Sequence, residues 1–194
     1  MRTFKGVTAA AAGNGLLRFV GRASNLRRRC PSESLRHQRL AGAMRGLVRC
    51  PGLLNDEQMI PARGDGYRTV LLWSDAGLDL SLLALVWQQG QRTPIHDHHA
   101  ACVVGLYQGM ERETRYERTA PGADTVVPVG EEILRVGAVV VVPPGEHEIH
   151  RVEAVAPAPT VTVSLHFYEV DVTRRPECSS IRQRFREAAF AEFV

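Results

Sequence analysis

The chain has no apolar run that approaches the roughly 18–20 residues a membrane-spanning helix needs. The valines at 139–142 stop at Pro143-Pro144. Cysteine is sparse too. Cys30, Cys50, Cys102 and Cys178 are scattered, with no Cys-x-x-Cys among them, which argues against a disulfide framework and fits a reducing, cytoplasmic setting. Positions 1–32 contain no acidic residue, and they lack the apolar stretch of about 7–15 residues that marks a secretory signal. Residues 1–50 hold eleven of the 24 Lys and Arg and one of the 21 acids, Glu33, so residues 51–194 keep thirteen bases against twenty acids, net −7. The overall charge of +3 is thus an N-terminal property, with Arg27-Arg28-Arg29 as its cluster. It does not point to nucleic acid. No internal repeat is visible.

At 194 residues the chain is expected to form one domain. Residues 1–50 read as a basic N-terminal extension and helix, residues 51–194 as the main domain. The Arg-rich stretch 1–32, with Ala9 to Ala12, has the composition of a disordered extension or of an organelle transit peptide. Organelle targeting therefore stands as the alternative to the cytoplasm. Ser34 to Arg49 is a predicted helix: Leu35, Leu40, Met44, Leu47 and Val48 recur at helical spacing, and Ser32 or Ser34 caps the start. Cys50-Pro51-Gly52 ends it, and Leu53 to Ile60 reads as a second short helix.

From Tyr67 onward the pattern is that of strands. Tyr67–Trp73, Leu78–Trp87, Ala101–Tyr107, Met110–Arg118, Thr125–Val129, Glu132–Val136, Ala138–Val142, His147–Val152 and Thr160–Val172 are separated by Gly- and Pro-containing turns. Many short strands punctuated in this way predict an all-β jelly-roll barrel. Ser180 to Phe193 reads as a C-terminal helix, with Ile181, Phe185, Ala188 and Ala189 on one side.

Within the strand region lies Thr93-Pro94-Ile95-His96-Asp97-His98-His99. Residues i and i+2 of a strand share a face, so His96 and His98 can reach one metal ion. His99 is expected to be a solvated loop residue and His37 a surface helix residue, while Trp73 and Trp87 read as strand core. Gly90, five residues, His96-x-His98, three residues, Cys102, six residues and Gly109 resemble the first cupin motif, except that Cys102 stands where that motif has a glutamate ligand. Gly137, five residues, Pro143-x-Gly145 and a histidine shortly after resemble the second.

Cysteine in the glutamate position, His150-Arg151-Val152-Glu153 and Ser164-Leu165-His166-Phe167-Tyr168 together resemble the thiol dioxygenases, cysteine dioxygenase and its bacterial relatives such as 3-mercaptopropionate dioxygenase. The resemblance covers about Tyr67 to Val172. It implies a cupin fold with N-terminal helices and a C-terminal helix, and a non-haem Fe(II) ion held by His96, His98 and His150, with His147 the competitor for the third place. Three neutral imidazoles suit Fe(II) and leave half its coordination sphere open. In the family resembled, the cysteine at the Cys102 position can form a thioether with the tyrosine at the Tyr168 position, the alternative being a small buried thiol packed beside the metal, and the resemblance implies a catalytic face formed by Ser164, His166 and Tyr168. Family members bind the substrate carboxylate through Tyr-x-Arg or Tyr-x-Gln. Here Tyr67-Arg68-Thr69 puts threonine in that slot, leaving Arg68, or Arg174 and Arg175 downstream, as the substrate-binding candidates beside Tyr67.

The expected activity is oxidation of a small carboxylated thiol by O2 to its sulfinic acid, with cysteine the first-choice substrate and 3-mercaptopropionate or another mercapto acid the alternative. The reading from another class is a metal-binding cupin without catalysis, a sensor or binding module. Partners beyond thiol and dioxygen are not expected: neither nucleic acid nor membrane.

Overall fold

The computed structural model describes residues 9–175 and 180–188. Helices α1 (Ala9–Arg29) and α2 (Glu33–Leu47) come first. Strands β1 (Arg68–Asp75), β2 (Leu80–Trp87), β3 (Ile95–His98), β4 (Cys102–Gln108), β5 (Met110–Arg118), β6 (Thr125–Arg135), β7 (Val139–Val142), β8 (Gly145–Ala154), β9 (Thr162–Tyr168) and β10 (Ile181–Glu187) follow. One sheet has the order β1-β2-β9-β4-β7, and the other, β10-β3-β8-β5-β6, closes on itself. The closure is a short parallel pairing of Arg186 and Glu187 with Thr125 and Val126. This is a cupin jelly roll, as expected, with two helices added. Among the described residues no helix is long and apolar enough to cross a membrane.

Strands β2 and β9 are buried along their whole lengths because both faces of the first sheet are covered. Leu80, Leu82, Ala84 and Val86 join Val163, Leu165 and Phe167 in a core shared with Phe19, Ala23, Leu26, Leu40, Met44 and Leu47 of the helices. Their alternates Leu83, Leu85 and Trp87 turn to the barrel interior with Cys102, Val104 and Tyr168, as a period of two requires. A buried ion pair ties α2 to the end of β9. Arg36 donates to Glu169 through Nε and, at 3.0 Å, through Nη2, and His37 Nε2 meets the same carboxylate at 2.7 Å. Burial pushes the Glu169 pKa upward, but the hydrogen bonds from Arg36 and His37 outweigh it and hold the group below the ordinary carboxylate value.

Several expectations are corrected here. Residues 9–29 are not a disordered extension: α1 packs Phe19, Val20, Ala23 and Leu26 into the core. The predicted helix at 53–60 is a set of turns, in which Asn55 Oδ1 accepts from Gln58 N and Gln58 Oε1 accepts from Asn55 N. The pair caps a single turn, in which Met59 N donates to the Asn55 carbonyl at 3.1 Å, and Pro61 stops it from continuing. The predicted strands 125–129 and 132–136 are one strand, β6, whose irregularity is absorbed as a register shift opposite Arg115 and Tyr116. The C-terminal helix predicted over 180–193 is a strand over 181–187, and residues 189–193 lie outside the described residues. His37 is a partner of Glu169 rather than a bland surface residue. The helix predicted from Ser34 begins at Glu33, capped by Ser32, whose Oγ accepts from Leu35 N.

Close seating of α2 on β4 depends on Gly105. A Cβ there would stand 2.6 Å from Val48 Cγ1 and 2.7 Å from Met44 Cγ. Gly105→Ala is expected to destabilise the protein by about 1–3 kcal/mol in urea unfolding, the usual range for overpacking. Combining it with Met44→Ala should give a double variant more stable than the sum of the two single losses. Strict additivity would contradict the contact.

Candidate metal centre

Strands β3 and β8 run antiparallel with His96 opposite His150. Since i and i+2 share a face, this register sets His96, His98 and His150 around one point inside the barrel. Their candidate ligand nitrogens all lie within 4.8 Å of one another, and His98 Nε2 is 3.0 Å from His150 Nε2. All three residues are buried. The side chain of His147, the other candidate, lies outside the described residues.

Each imidazole is oriented from behind. His96 Nδ1 donates to the Pro94 carbonyl at 2.9 Å, His98 Nδ1 lies 2.8 Å from Ser180 Oγ, and His150 Nδ1 lies 2.6 Å from Glu113 Oε1. With Nδ1 engaged, the Nε2 lone pair of each ring is left for the shared centre. Burial pushes the His96 pKa down to about 3 and that of His98 well below its ordinary value, so both stay in the neutral form that ligates metals. Burial raises the Glu113 carboxyl, but the hydrogen bond with His150 outweighs it and holds the group below the ordinary value. Asp97, between the two histidines, points the other way. Its carboxylate accepts from Gln183 N at 2.9 Å and from Arg182, locking β3 to β10. The donor set suits a divalent transition metal with open positions.

The facing wall comes from β9 and β2. Trp87 Nε1 donates to Ser164 Oγ at 3.2 Å, Ser164 Oγ lies 2.9 Å from His166 Nε2, and the Tyr168 hydroxyl lies 3.3 Å from His166 Nδ1. The Glu111 carboxyl lies beside this chain, where burial raises its pKa and the influence of Ser164 lowers it. Ser164 Oγ and the Tyr168 hydroxyl thus hold the two ring nitrogens of His166 from either side. Burial lowers the His166 pKa to about 3 and pushes the Tyr168 phenol well above its ordinary value, so the chain holds a neutral imidazole and a protonated phenol. Cys102 is the cross-strand partner of Tyr168, with Sγ 4.0 Å from His166 Nδ1. Burial raises its thiol pKa.

These walls enclose a cavity lined by the three clustered histidines, His166, Tyr168, Glu111, Glu113 and aliphatic side chains of β2, β4 and β7. Tyr67 lines it too, its ring 4.2 Å from that of Trp87, and so does Thr69. Arg68 does not. It turns to the opposite face, where Nη1 donates to the Glu57 and Ile60 carbonyls at 2.7 and 3.3 Å. The irregularity of β1 falls between Leu71 and Trp73, past Arg68, and cannot turn it inward. Arg174 and Arg175 follow β9 in a short 3-10 turn and its cap, and neither lines the cavity. His99 is exposed, as expected.

Sequence reasoning missed Glu113, Ser180, Glu111 and the role of Trp87. The acids on β5 alternate with arginines, which leaves open which face is inward, and Ser180 sits beyond the motifs. Glycine at 109 has a structural cause: it adopts φ +81°, and a Cβ would stand 2.7 Å from Thr162 Cα.

Comparison with known proteins places residues 61–179 within the family model for cysteine dioxygenase type I. Among solved structures, a cupin superfamily protein from Desulfitobacterium hafniense is 14% identical, with 61% of this chain and 90% of that one covered at a TM-score of 0.44. A RmlC-like cupin from Shewanella frigidimarina is 17% identical over 59% of this chain and 86% of that one, with a TM-score of 0.41.

Two outcomes follow from this geometry. His96, His98 and His166 are neutral when folded, whereas unfolded histidines titrate near 6.5, so as pH falls the unfolded chain binds protons first. Stability of the metal-free protein should be full above about pH 6.5 and decline below it, by up to about 1.4 kcal/mol per pH unit for each histidine. For His96 and His166 the decline should level off near pH 3. Urea titrations across that range check this, and a flat profile would refute it. Glu113→Ala, which leaves His150 without its orienting carboxylate, should weaken metal binding about 10–100-fold in competition with a chelator.

Proposed function

The chain belongs to the cysteine dioxygenase type I family, and we propose that it is a non-haem iron(II) thiol dioxygenase of the reducing cytoplasm. It takes a small thiol and O2 and places both oxygen atoms on sulfur, giving the sulfinic acid. Cysteine is the first-choice substrate and 3-mercaptopropionate the alternative. The observation that carries the reading is the ligand set itself: three imidazoles with no carboxylate ligand, because the cupin glutamate position holds Cys102, facing the Ser164–His166–Tyr168 chain.

Bound iron would supply a common site for thiol and dioxygen and the one-electron chemistry that dioxygen requires. The protein does the rest. His96, His98 and His150 hold the ion without adding charge, so a thiolate can bring its own. Cys102, kept protonated by burial, leaves room where a glutamate would intrude. Tyr168 keeps its proton and presents a hydroxyl whose position is set by His166, which is in turn held by Ser164 and Trp87. That hydroxyl orients the reacting oxygen by hydrogen bonding. Leu83, Leu85, Val104, Val140 and Val142 make the walls apolar and keep water from the reacting atoms.

Oxygen uptake and sulfinate formation by the Fe(II)-loaded protein test the proposal. Tyr168→Phe is expected to lower turnover about 10²-fold or more, in the range for a positioned proton donor, while leaving iron bound. Unchanged turnover would remove Tyr168 from the mechanism. Iron binding without oxidation of any thiol would leave a non-catalytic metal-binding cupin.

A further inference from the structure

Glu111 is a buried carboxyl of the barrel with an unpartnered oxygen among the described residues. Its side chain projects into the cavity from β5 and is 1% exposed. Its Oε1 is buried and has no hydrogen-bond partner among the described residues. A buried carboxyl oxygen without a donor is costly, and this carboxyl belongs to a residue lining a cavity that a ligand can enter. Glu113, two residues on, is already engaged by His150 at 2.6 Å.

The second observation is the absence of an opposite partner for a carboxylate. Among the described residues that line the cavity, none is Arg or Lys. Thr69 occupies the position facing the cavity where an arginine would serve, and Arg68 is bound to loop carbonyls on the other side of β1. Arg182 is engaged by Asp97, and Arg184, opposite His96 on β10, is exposed and does not line the cavity.

We infer that this cavity recognises its thiol by a cationic amino group seated on Glu111 and not by a carboxylate, so that its substrates are small aminothiols, the simplest being 2-aminoethanethiol. The inference rests on the thiol dioxygenase reading and names the substrate class of that site. Cysteine remains acceptable through its ammonium group, whereas a mercapto acid lacking an amine does not. The Glu111 carboxyl, raised by burial to about 7, would be drawn fully into its ionised form by a cation bound at the carboxyl group. A carboxylate placed in the same volume would meet two glutamates and, among the described lining residues, no arginine or lysine.

The test compares 2-aminoethanethiol, cysteine, 3-mercaptopropionate and uncharged 2-mercaptoethanol in two assays. One is kcat/KM for sulfinate formation by the Fe(II)-loaded protein. The other is calorimetric binding to the same protein loaded with redox-inert zinc. The expected result is a preference of about tenfold or more for 2-aminoethanethiol over 3-mercaptopropionate in both, as a desolvated charge contact gives. Glu111→Gln, nearly the same size, should bring the ratio of 2-aminoethanethiol to 2-mercaptoethanol close to one. Equal or better use of 3-mercaptopropionate by the unaltered protein would overturn the inference, as would a ratio that Glu111→Gln leaves unchanged. If no thiol is oxidised, the dioxygenase reading falls, and the zinc binding ratios still decide whether the cavity selects an amine.

Discussion

The antiparallel register that sets His96 opposite His150 is the constraint on which the site depends. A slip of one residue would turn every imidazole to the outer face of its strand. Three desolvated imidazoles held together are unfavourable without a metal, and the fold compensates from three directions. The Pro94 carbonyl fixes the first ring from its own strand entry, Ser180 fixes the second from the segment before β10, and Glu113 fixes the third from β5. Three elements distant in sequence are thereby tied to one point, and Asp97, buried between the ligands, secures β3 to β10 from the other side of the strand.

The opposite wall is made rigid differently. Strand β9 carries Ser164, His166 and Tyr168 inward and Val163, Leu165 and Phe167 outward against the helices. Its position is therefore set by the packing of α1 and α2 as much as by its neighbours β2 and β4. Glu169, next to Tyr168, is clamped by Arg36 and His37 of α2. Such a pair adds little net stability relative to an apolar contact, but it holds geometry, and losing one partner strands the other charge. Through it the N-terminal helices fix the end of the strand that presents the phenol.

What the sequence made legible follows from how local each signal is. Alternation and turn glycines gave most strands, and the fixed spacing of Gly90, His96, His98, Cys102 and Gly109 gave the barrel and its metal-ligand candidates. Alternation along Tyr67-Arg68-Thr69 also put Thr69 rather than Arg68 on the cavity side. Long-range partners were hidden. Leu16, Phe19, Val20, Ala23 and Leu26 have helical spacing, but a composition of Ala, Gly and Arg without acids obscured α1. Ile181, Gln183 and Phe185 fit one face of a strand as well as Ile181 and Phe185 fit one side of a helix, and only pairing with β3 decides between them. Ser180 and Glu113 could not be identified as partners of the histidines before the chain was folded.

Two glutamates on the same face of β5 show how the charges in the cavity divide. Glu113 is matched from within the protein by a histidine that a metal ion would polarise; Glu111 is not matched. With the divalent ion proposed for the three-histidine centre and a cation seated on Glu111, both glutamates are ionised and their two charges offset that of the ion. An aminothiol bound as thiolate and ammonium is also neutral overall, and each of its charges meets an opposite one. Cysteine bound the same way adds one uncompensated negative charge at its carboxylate, and a mercapto acid adds two negative charges and no positive one. In apolar surroundings, where unpaired charge is most costly, that difference alone ranks the three classes. The ranking follows from Glu111 and Thr69, two positions on opposite walls that the metal-binding motifs do not include.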